Sequence, residues 1–546
     1  MAVNISYRLD IYTKWSTQAS GSFDCTSLDG RGYAYIGDRG SHLAGVISPP
    51  SGVIAAHLSP NNGSWNDITG QNATIAQLKS GSLVVAAESA GSIVLQLFNQ
   101  GTGADLTASI DLGLTNRSNP DAAALSNGLF FVACENTPSS GNGNIEILMR
   151  DAAGGFVDAF EIANGPENDG KPSIAALDGG GAAVAWTRTK GNGSTEAWFA
   201  VLDNNGNYVK GPTLIDSTGS INRNVSVTAM DNGGFAVAYE DNGWATGTVD
   251  ITVATFAADG VFGNWFNAGG ASDDEQPSLT RFSNGFLGLI SGDNTTARTE
   301  QVIRLLDPAH GVVLAQATIS SNQGGGYDDT ASGTIADIGV GRLVGIYDRN
   351  ALNVSIGNQT LVQAVRISDG DAAANTFITD EYSAVMYGRG GDDVLRGGIN
   401  RDWLYGGLGS DNLTGGSSRD VLQGGLGGDR LRTGDGHDRI VYESVDESLA
   451  GRSRDIIHDF AVWPSAEKYT IDRIDVSGID PDLDTEIDEA FTFVGSNPFN
   501  HGAQIRAYQS GLDTIIAIDA DGGGVDMEIV LRDFTAALLT SDDFVL

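Results

Sequence analysis

The chain has 546 residues and carries 69 acidic against 31 basic side chains, a formal net charge of −38, with 74 glycines and only 13 prolines. That excess disfavours nucleic acid and anionic membranes as partners, because phosphates call for Lys and Arg, and it invites cations. The length exceeds one core, and the short apolar runs between glycine turns, none long enough to span a bilayer, describe an all-β protein of two or more domains.

At the N-terminus, MAVNISYRLDIYTKW lacks the basic and apolar regions of a secretory signal. Taken alone this places the chain in the cytoplasm, a placement that the C-terminal third revises. Cys25 and Cys134 sit in the apolar contexts SFDCTSL and FFVACEN. They read as two reduced, buried thiols, with a single bridge as the alternative.

Residues 1–375 repeat a hairpin phrase. SLDGRGYAYIG (27–37), QLKSGSLVVAA (77–87), ALSNGLFFVAC (124–134), ALDGGGAAVAW (176–186), AMDNGGFAVAY (229–239), RFSNGFLGLIS (281–291) and ADIGVGRLVGIY (336–347) recur at roughly fifty-residue intervals. Each is a strand, a glycine turn and an apolar strand, and a third strand such as EAWFAVLDNNGN (196–207) generally follows. With a fourth strand per unit this predicts a seven-bladed β-propeller. A pair of β-sandwiches also has short strands and frequent turns, but it need not repeat one phrase at a near-constant interval.

Acids enter the first strand of most blades: Asp24, Asp67, Asp121, Glu167, Asp169, Asp273, Asp274, Glu275, Asp328 and Asp329, whereas blade five has Asn222, Arg223 and Asn224. Gathered at the central channel they form an acidic ring for a cation or hydroxyl-rich ligand; otherwise they are solvated turns. HExxH, GxSxG and GxxxxGK[ST] are absent and the six histidines are scattered, so no catalytic residue is assigned.

Residues 371–546 hold 33 acidic and 13 basic side chains. Within them, 388–441 divide into six nine-residue units: GRGGDDVLR, GGINRDWLY, GGLGSDNLT, GGSSRDVLQ, GGLGGDRLR and TGDGHDRIV. The sixth position is always aspartate (Asp393, Asp402, Asp411, Asp420, Asp429, Asp438) and the eighth always aliphatic (Leu395, Leu404, Leu413, Leu422, Leu431, Ile440). Glycines allow left-handed turns that aim carbonyls inward, aspartate adds a hard anionic oxygen, and the aliphatic residue buries itself on a short strand. Such oxygen donors suit Ca²⁺. At the fourth position Asn400 and Ser418 replace glycine, and serine enters the left-handed region less readily than asparagine.

These units resemble the nonapeptide repeats of the RTX family, which wind as a parallel β-roll with calcium between turns. The resemblance implies two units per coil, with Asp393, Asp411 and Asp429 along one edge, Asp402, Asp420 and Asp438 along the other, and about four ions. The expected division is 1–375 propeller, 376–442 calcium-binding roll and 443–546 C-terminal domain. DIIHDF (455–460), DRIDVSGID (472–480), AFTFVG (490–495) and VLRDFTAALLTSDDFVL (530–546) are similar to the C-terminal domain of serralysin-type secreted proteins, without the family's zinc protease body. That likeness implies bacterial type I secretion, with the secretion machinery as partner and Asp543, Phe544, Val545 and Leu546 closing the signal. The chain is then extracellular or cell-surface associated, and calcium outside the cell folds a roll that stays unfolded within. DADGGGVD (519–526) offers Asp519, Asp521 and Asp526 as further ligands or is an ordinary turn. The function expected is an extracellular binding or adhesion module for a protein or glycan. The alternatives are a hydrolase or lyase with a carboxylate or calcium site in the channel, and a self-assembling surface protein.

Overall fold

A computed structural model describes residues 72–99, 105–138, 141–244, 248–270, 273–282, 285–293, 301–318, 335, 366–379, 383–451, 453–462, 471–480 and 490–546 in backbone and side chain, and the other strands named below by backbone alone. The chain forms two compact units, 9–363 and 1–8 with 364–546.

The first unit is a seven-bladed β-propeller. Six four-stranded antiparallel sheets span 23–58, 71–111, 117–163, 168–216, 222–267 and 273–318. Blade seven comprises Asp328–Asp337, Arg342–Ala351 and Val354–Asp369, with Asn4–Ser16 paired to the last of these. The first strands of successive blades lie side by side, and that of blade one also lies against that of blade seven, so the ring closes.

Blade four shows why these residues form these strands. Its strands are Asn168–Ala176, Ala182–Thr189, Thr195–Leu202 and Tyr208–Asp216. Ala182 to Trp186 are all buried, because both faces of the second strand are covered by neighbouring sheets, which favours an unbroken apolar run over alternation. The outer strand is largely exposed. The interior between blades four and five is filled by Phe199, Phe235 and Phe256, with ring centroids 4.5–5.5 Å apart.

The first strands share a second device. Asn72, Asn119, Lys171, Asn224 and Gln276 all take φ of 48–52°, each within a bulge of its pairing with the second strand. Two residues later, a small polar side chain accepts a backbone N–H from the next blade: Asp121 from Ile174 at 2.8 Å, Ser173 from Val227 at 3.2 Å and Ser226 from Leu279 at 3.0 Å. The bulges turn otherwise unsatisfied inner-strand amides into inter-blade hydrogen bonds.

The second unit is a parallel β-roll. One sheet runs through Ser383–Gly390, Trp403–Leu408, Val421–Leu426, Arg439–Val441, Arg473–Asp475 and Phe544–Val545, with Val365 to Asp369 beside Ser383 to Tyr387. The other runs through Thr376–Ile378, Val394–Arg396, Asn412–Ser417, Arg430–Asp435, Asp455–Ile457 and Met527–Leu531, then continues into the antiparallel strands Asp513–Asp519 and Gln504–Ser510. Parallel pairing thus starts at Val365 and passes through position 442 without a break in either sheet. The eighth-position residues Leu395, Leu404, Leu413, Leu422, Leu431 and Ile440 are fully buried and stack in register. The same core takes in Ile457, Ile474, Leu531 and Phe544.

Because Leu413 lies in the middle of this stack with no exposed surface, Leu413→Ala is expected to destabilise the calcium-loaded roll by about 2–5 kcal/mol. Calorimetry of the full-length protein should show this as a lowered transition for the second unit only.

Candidate metal centre

Two rows of carboxylates flank the roll. Along one, the Asn375 N–H donates to Asp393 Oδ1 at 2.6 Å, Asp393 to Asp411 at 2.7 Å, Asp411 to Asp429 at 2.7 Å and Asp429 to Asp455 at 2.8 Å. Along the other, Ala384 donates to Asp402 at 2.6 Å, Asp402 to Asp420 and Asp420 to Asp438 at 2.8 Å, and Asp438 to Asp472 at 3.3 Å. The structure therefore brings Asp393, Asp411 and Asp429 into one row and Asp402, Asp420 and Asp438 into the other. Each row gains a rung beyond the nonapeptides.

All six of these aspartates are at most 2% exposed. Oδ1 is satisfied by the ladder, but Oδ2 of Asp393, Asp411, Asp420, Asp429 and Asp438 has no hydrogen-bond partner, while Asp402 Oδ2 accepts from the Gly398 N–H at 2.8 Å. A buried carboxylate oxygen with nothing to accept is costly. Burial pushes Asp402 and Asp429 up to about 7, Asp411 and Asp438 to about 6 and Asp420 to about 9.

The glycine that opens each of the first five units explains the beat. A Cβ at Gly406 would collide with both Asp411 Oδ2 and the Gly424 carbonyl oxygen, and one at Gly388 with Asp393 Oδ2 and the Gly406 carbonyl oxygen. These oxygens converge on a space that any side chain would fill, so the residues present fit a hard cation bound by carboxylates and carbonyls. Ser418 does adopt the left-handed conformation, at φ 84°, and its hydroxyl donates to the Ile399 carbonyl at 2.9 Å. Asn400 stays out of that region and is buried.

One rung was hidden in the sequence. Gly370 to Ile378 read GDAAANTFI, with Asn375 at the sixth place and buried Phe377 at the eighth. A Cβ at Gly370 would meet Asn375 Oδ1 and the Gly388 carbonyl oxygen, the same cradle. Eighteen-residue spacing from Asp393 was the available signal, obscured by requiring aspartate.

The other candidates fare differently. Asp519 Oδ1 accepts from Gly522 and Gly524, Asp521 Oδ1 from Gly523 and Asp526 Oδ2 from Ala520, as in a tight turn between strands. Although their oxygens cluster within 4.8 Å, backbone amides already engage them. Cys134 is free and buried, and burial pushes its thiol up to about 12. Asp24, Asp67, Asp328, Asp329 and Cys25 lie outside the residues whose side chains are described.

No hydrogen bond or ion pair among the described residues joins one of the remaining entry acids to another. Asp121 accepts from Thr74 and Ile174 of the flanking blades. Asp169, fully buried, holds Trp186 Nε1 at 2.9 Å and the Arg188 guanidinium at 2.8 and 3.0 Å. Asp274, also fully buried, pairs with Arg304 at 2.8 Å. Glu167 and Asp273 accept backbone N–H groups of Gly191 and Val249, and Glu275 is half-buried opposite Gly292. In blade five Arg223 and Asn224 both bind Glu240, and Asn222 donates to the Thr218 carbonyl.

A cavity of about 630 Å³ opens between blades five and six, with Met230, Asp231, Asn232, Thr255, Asn264 and Pro308 among its walls. In the groove between blades three and four Asn204 bridges across, its Nδ2 donating to Ser126 Oγ at 3.0 Å and its backbone carbonyl accepting from Asn127 Nδ2 at 3.0 Å.

Residues 369–440 match the model of the RTX calcium-binding nonapeptide repeat in four overlapping copies, at 369–404, 378–413, 387–422 and 405–440. RTX nonapeptide repeats bind calcium and are typical of secreted proteins. A search of curated proteins finds no match. Among solved structures, a protein of unknown function from Dyadobacter fermentans is 12% identical over 65% of this chain and 98% of its own, with a TM-score of 0.40. An α-L-arabinofuranosidase of Fusarium graminearum, solved with arabinobiose, is 12% identical over 55% of this chain and 92% of its own, at 0.37. A Hadza microbial sialidase is 11% identical over 60% of this chain and 73% of its own, at 0.39. With each TM-score below 0.5, the seven-bladed assignment stands on the sheet topology. No helix among the described residues is long and apolar enough to cross a membrane.

The raised carboxylates set the pH dependence. Without calcium the folded roll binds more protons than the unfolded chain between pH 3.8 and the raised values of about 6 to 9, so its stability falls as pH rises through that window. In chelator, the roll of the full-length protein should melt at a lower temperature at pH 8 than at pH 5 by circular dichroism. With calcium the apparent affinity should rise over the same interval, because the ion displaces those protons.

Proposed function

We propose that the chain is a secreted protein whose Asp393, Asp402, Asp411, Asp420, Asp429 and Asp438 hold calcium, and whose propeller is an extracellular binding or adhesion module for a glycan or protein. Calcium at extracellular levels, roughly 10⁻⁴–10⁻³ M, would fold the roll after export. The rows of bare, buried Oδ2 atoms support the first part. The serralysin-like tail supports a type I route, with the secretion machinery engaging the C-terminus before Phe544 and Val545 take their place beside Ile474 and Asp475.

One repeated observation carries the binding reading. Four successive blades open their outer strand with a large, exposed apolar residue: Phe156 (66% exposed), Tyr208 (51%), Phe262 (54%) and Val312 (43%). Trp265, on the same strand as Phe262, is also half-exposed. Large apolar side chains left about half exposed at one place in each repeat are suited to a ligand surface. Aromatic faces fit sugar rings as well as apolar protein side chains. A hydrolase or lyase would instead need uncommitted carboxylates near the channel. The described acids there are largely held by amides, hydroxyls or guanidinium groups.

Affinity electrophoresis of the calcium-loaded, full-length protein in gels containing neutral polysaccharides, beside immobilised extracellular proteins as a second surface, tests this. Retention is expected, with at least a tenfold loss of affinity on combining Phe156→Ala, Tyr208→Ala and Phe262→Ala. Release of new reducing or unsaturated ends from a polysaccharide would overturn the reading in favour of an enzyme.

A further inference from the structure

Blade three buries a cation where blades four to six bury a hydrocarbon. The third strand of each ends in a turn whose glycine N–H returns to the carbonyl of the first turn residue: Gly154 to Asp151, Gly206 to Asp203, Gly260 to Ala257 and Gly311 to Asp307. The residue just before that turn is Leu202 in blade four, Phe256 in blade five and Leu306 in blade six, at most 5% exposed. In blade three it is Arg150, which is nearly as deep at 6%. Arg150 stands opposite Phe130 in the strand pairing and two residues after Leu148, and both of those pack in the core shared with blade two. Its side chain therefore faces blade two.

Nothing in the fold pairs with this charge. Arg150 makes no hydrogen bond or ion pair among the described residues, and its Nε is enclosed without an acceptor. Glu146 on the same strand holds Arg117 with both oxygens, at 2.6 and 3.2 Å, and Asp151 Oδ1 accepts from the Ala153 and Gly155 N–H groups at 2.9 and 2.8 Å. What Arg150 does touch is Phe156, its partner on the outer strand, whose ring centroid lies 5.1 Å from the guanidinium carbon. A ring face attracts a cation but gives its five N–H donors no lone pair, and an unpaired buried charge is costly.

An acceptor from outside would complete the arrangement. The planar fork of a guanidinium matches a carboxylate, two N–H groups to two oxygens. A single such fork in a chain of net charge −38 suits isolated carboxylates and disfavours a dense polyanion. Phe156 is 66% exposed, so it moves aside without opening the core, and it stands first in the row of exposed residues on the outer strands. An aromatic face for a sugar ring, next to a guanidinium for that sugar's carboxylate, describes a site for a uronic acid.

We propose that Arg150 receives the carboxylate of an acidic sugar seated beside Phe156, so that the glycan bound by the propeller carries uronic acid. The proposal rests on the propeller being a binding module, and the test separates the two. The calcium-loaded, full-length protein is applied to surfaces printed with galacturonic and glucuronic acid oligosaccharides, the same sugars after carboxyl reduction, and acidic peptides. Retention on the acidic sugars is expected, with at least a tenfold loss of affinity for the reduced ones. Arg150→Leu restores the hydrocarbon of the neighbouring blades. It is expected to melt no lower than the parent by calorimetry and to lose at least tenfold in affinity for the acidic sugars alone. Equal affinity of the parent for acidic and reduced sugars overturns the proposal without recourse to a variant, and so does unchanged affinity for acidic sugars in Arg150→Leu. Retention on the peptides alone assigns the carboxylate to a protein partner and overturns the sugar. A parent held by none of these surfaces overturns the proposal; if neutral polysaccharides and extracellular proteins also fail to retain it, the binding-module reading falls with it.

Discussion

The roll depends on the burial of like charges in line. Each aspartate gives one oxygen to the N–H of the preceding coil, which leaves the other facing a row of its own kind. At a strand spacing near 4.8 Å and an effective dielectric of about 20, neighbouring unit charges repel by roughly 3 kcal/mol. Full burial of a leucine contributes about 1.5–3 kcal/mol. The apolar stack and the carboxylate rows are therefore opposed at comparable magnitude, coil by coil. A cation in the rows, or protons in its absence, determines which prevails. Glycine at the first place of the first five units keeps the space for the cation open, and a β-carbon would close it.

The propeller meets a different constraint by different means. A closed ring of sheets must satisfy the amides of its inner strands where bulges interrupt the ladder. It does so with Asp121, Ser173 and Ser226, each reaching one blade onward. Two of its buried acids are matched by cations, Asp169 by Arg188 and Asp274 by Arg304, whereas Asp216 and Asp241 are held by the hydroxyls of Thr218, Tyr239 and Thr252 and the Gly243 N–H. The excess of acid over base is densest in the second unit, which carries the calcium-binding repeats.

Legibility followed repetition. The nonapeptide beat was readable because every coil imposes the same demands, an oxygen at the sixth place and an apolar group at the eighth. The hairpin phrase was readable for the same reason at a longer period. Asn375 escaped because only its backbone N–H joins the ladder, while its amide oxygen, accepting from the Asp371 N–H, takes the carboxylate's place in the glycine cradle. Asp455 escaped because a turn inserted between two rungs changes the spacing without changing the hydrogen bond. The entry acids could be read as a ring or as separate turns because nearness to the channel says nothing about direction. Beside a bulge the alternation of faces breaks, and Asp169 ends in the interior of its blade, against Trp186 and Arg188.

The two row ends show how the electrostatics of the coils reach the tail. Thr433 and Tyr442 both stand where a unit would begin with glycine, and each side chain closes its row. Thr433 does so with a hydroxyl that completes the shell of Asp472. Tyr442 does so with its hydroxyl against Asp455. The strand carrying Asp455 pairs directly with Met527–Leu531, which in turn pairs with Asp513–Asp519. Neutralising Asp455 therefore stabilises the rung on which the last hairpin is laid. Because Leu431, Ile457 and Leu531 share one core with Phe544, charge compensation at this end of the row bears on the packing of the C-terminal strand, far beyond the last nonapeptide.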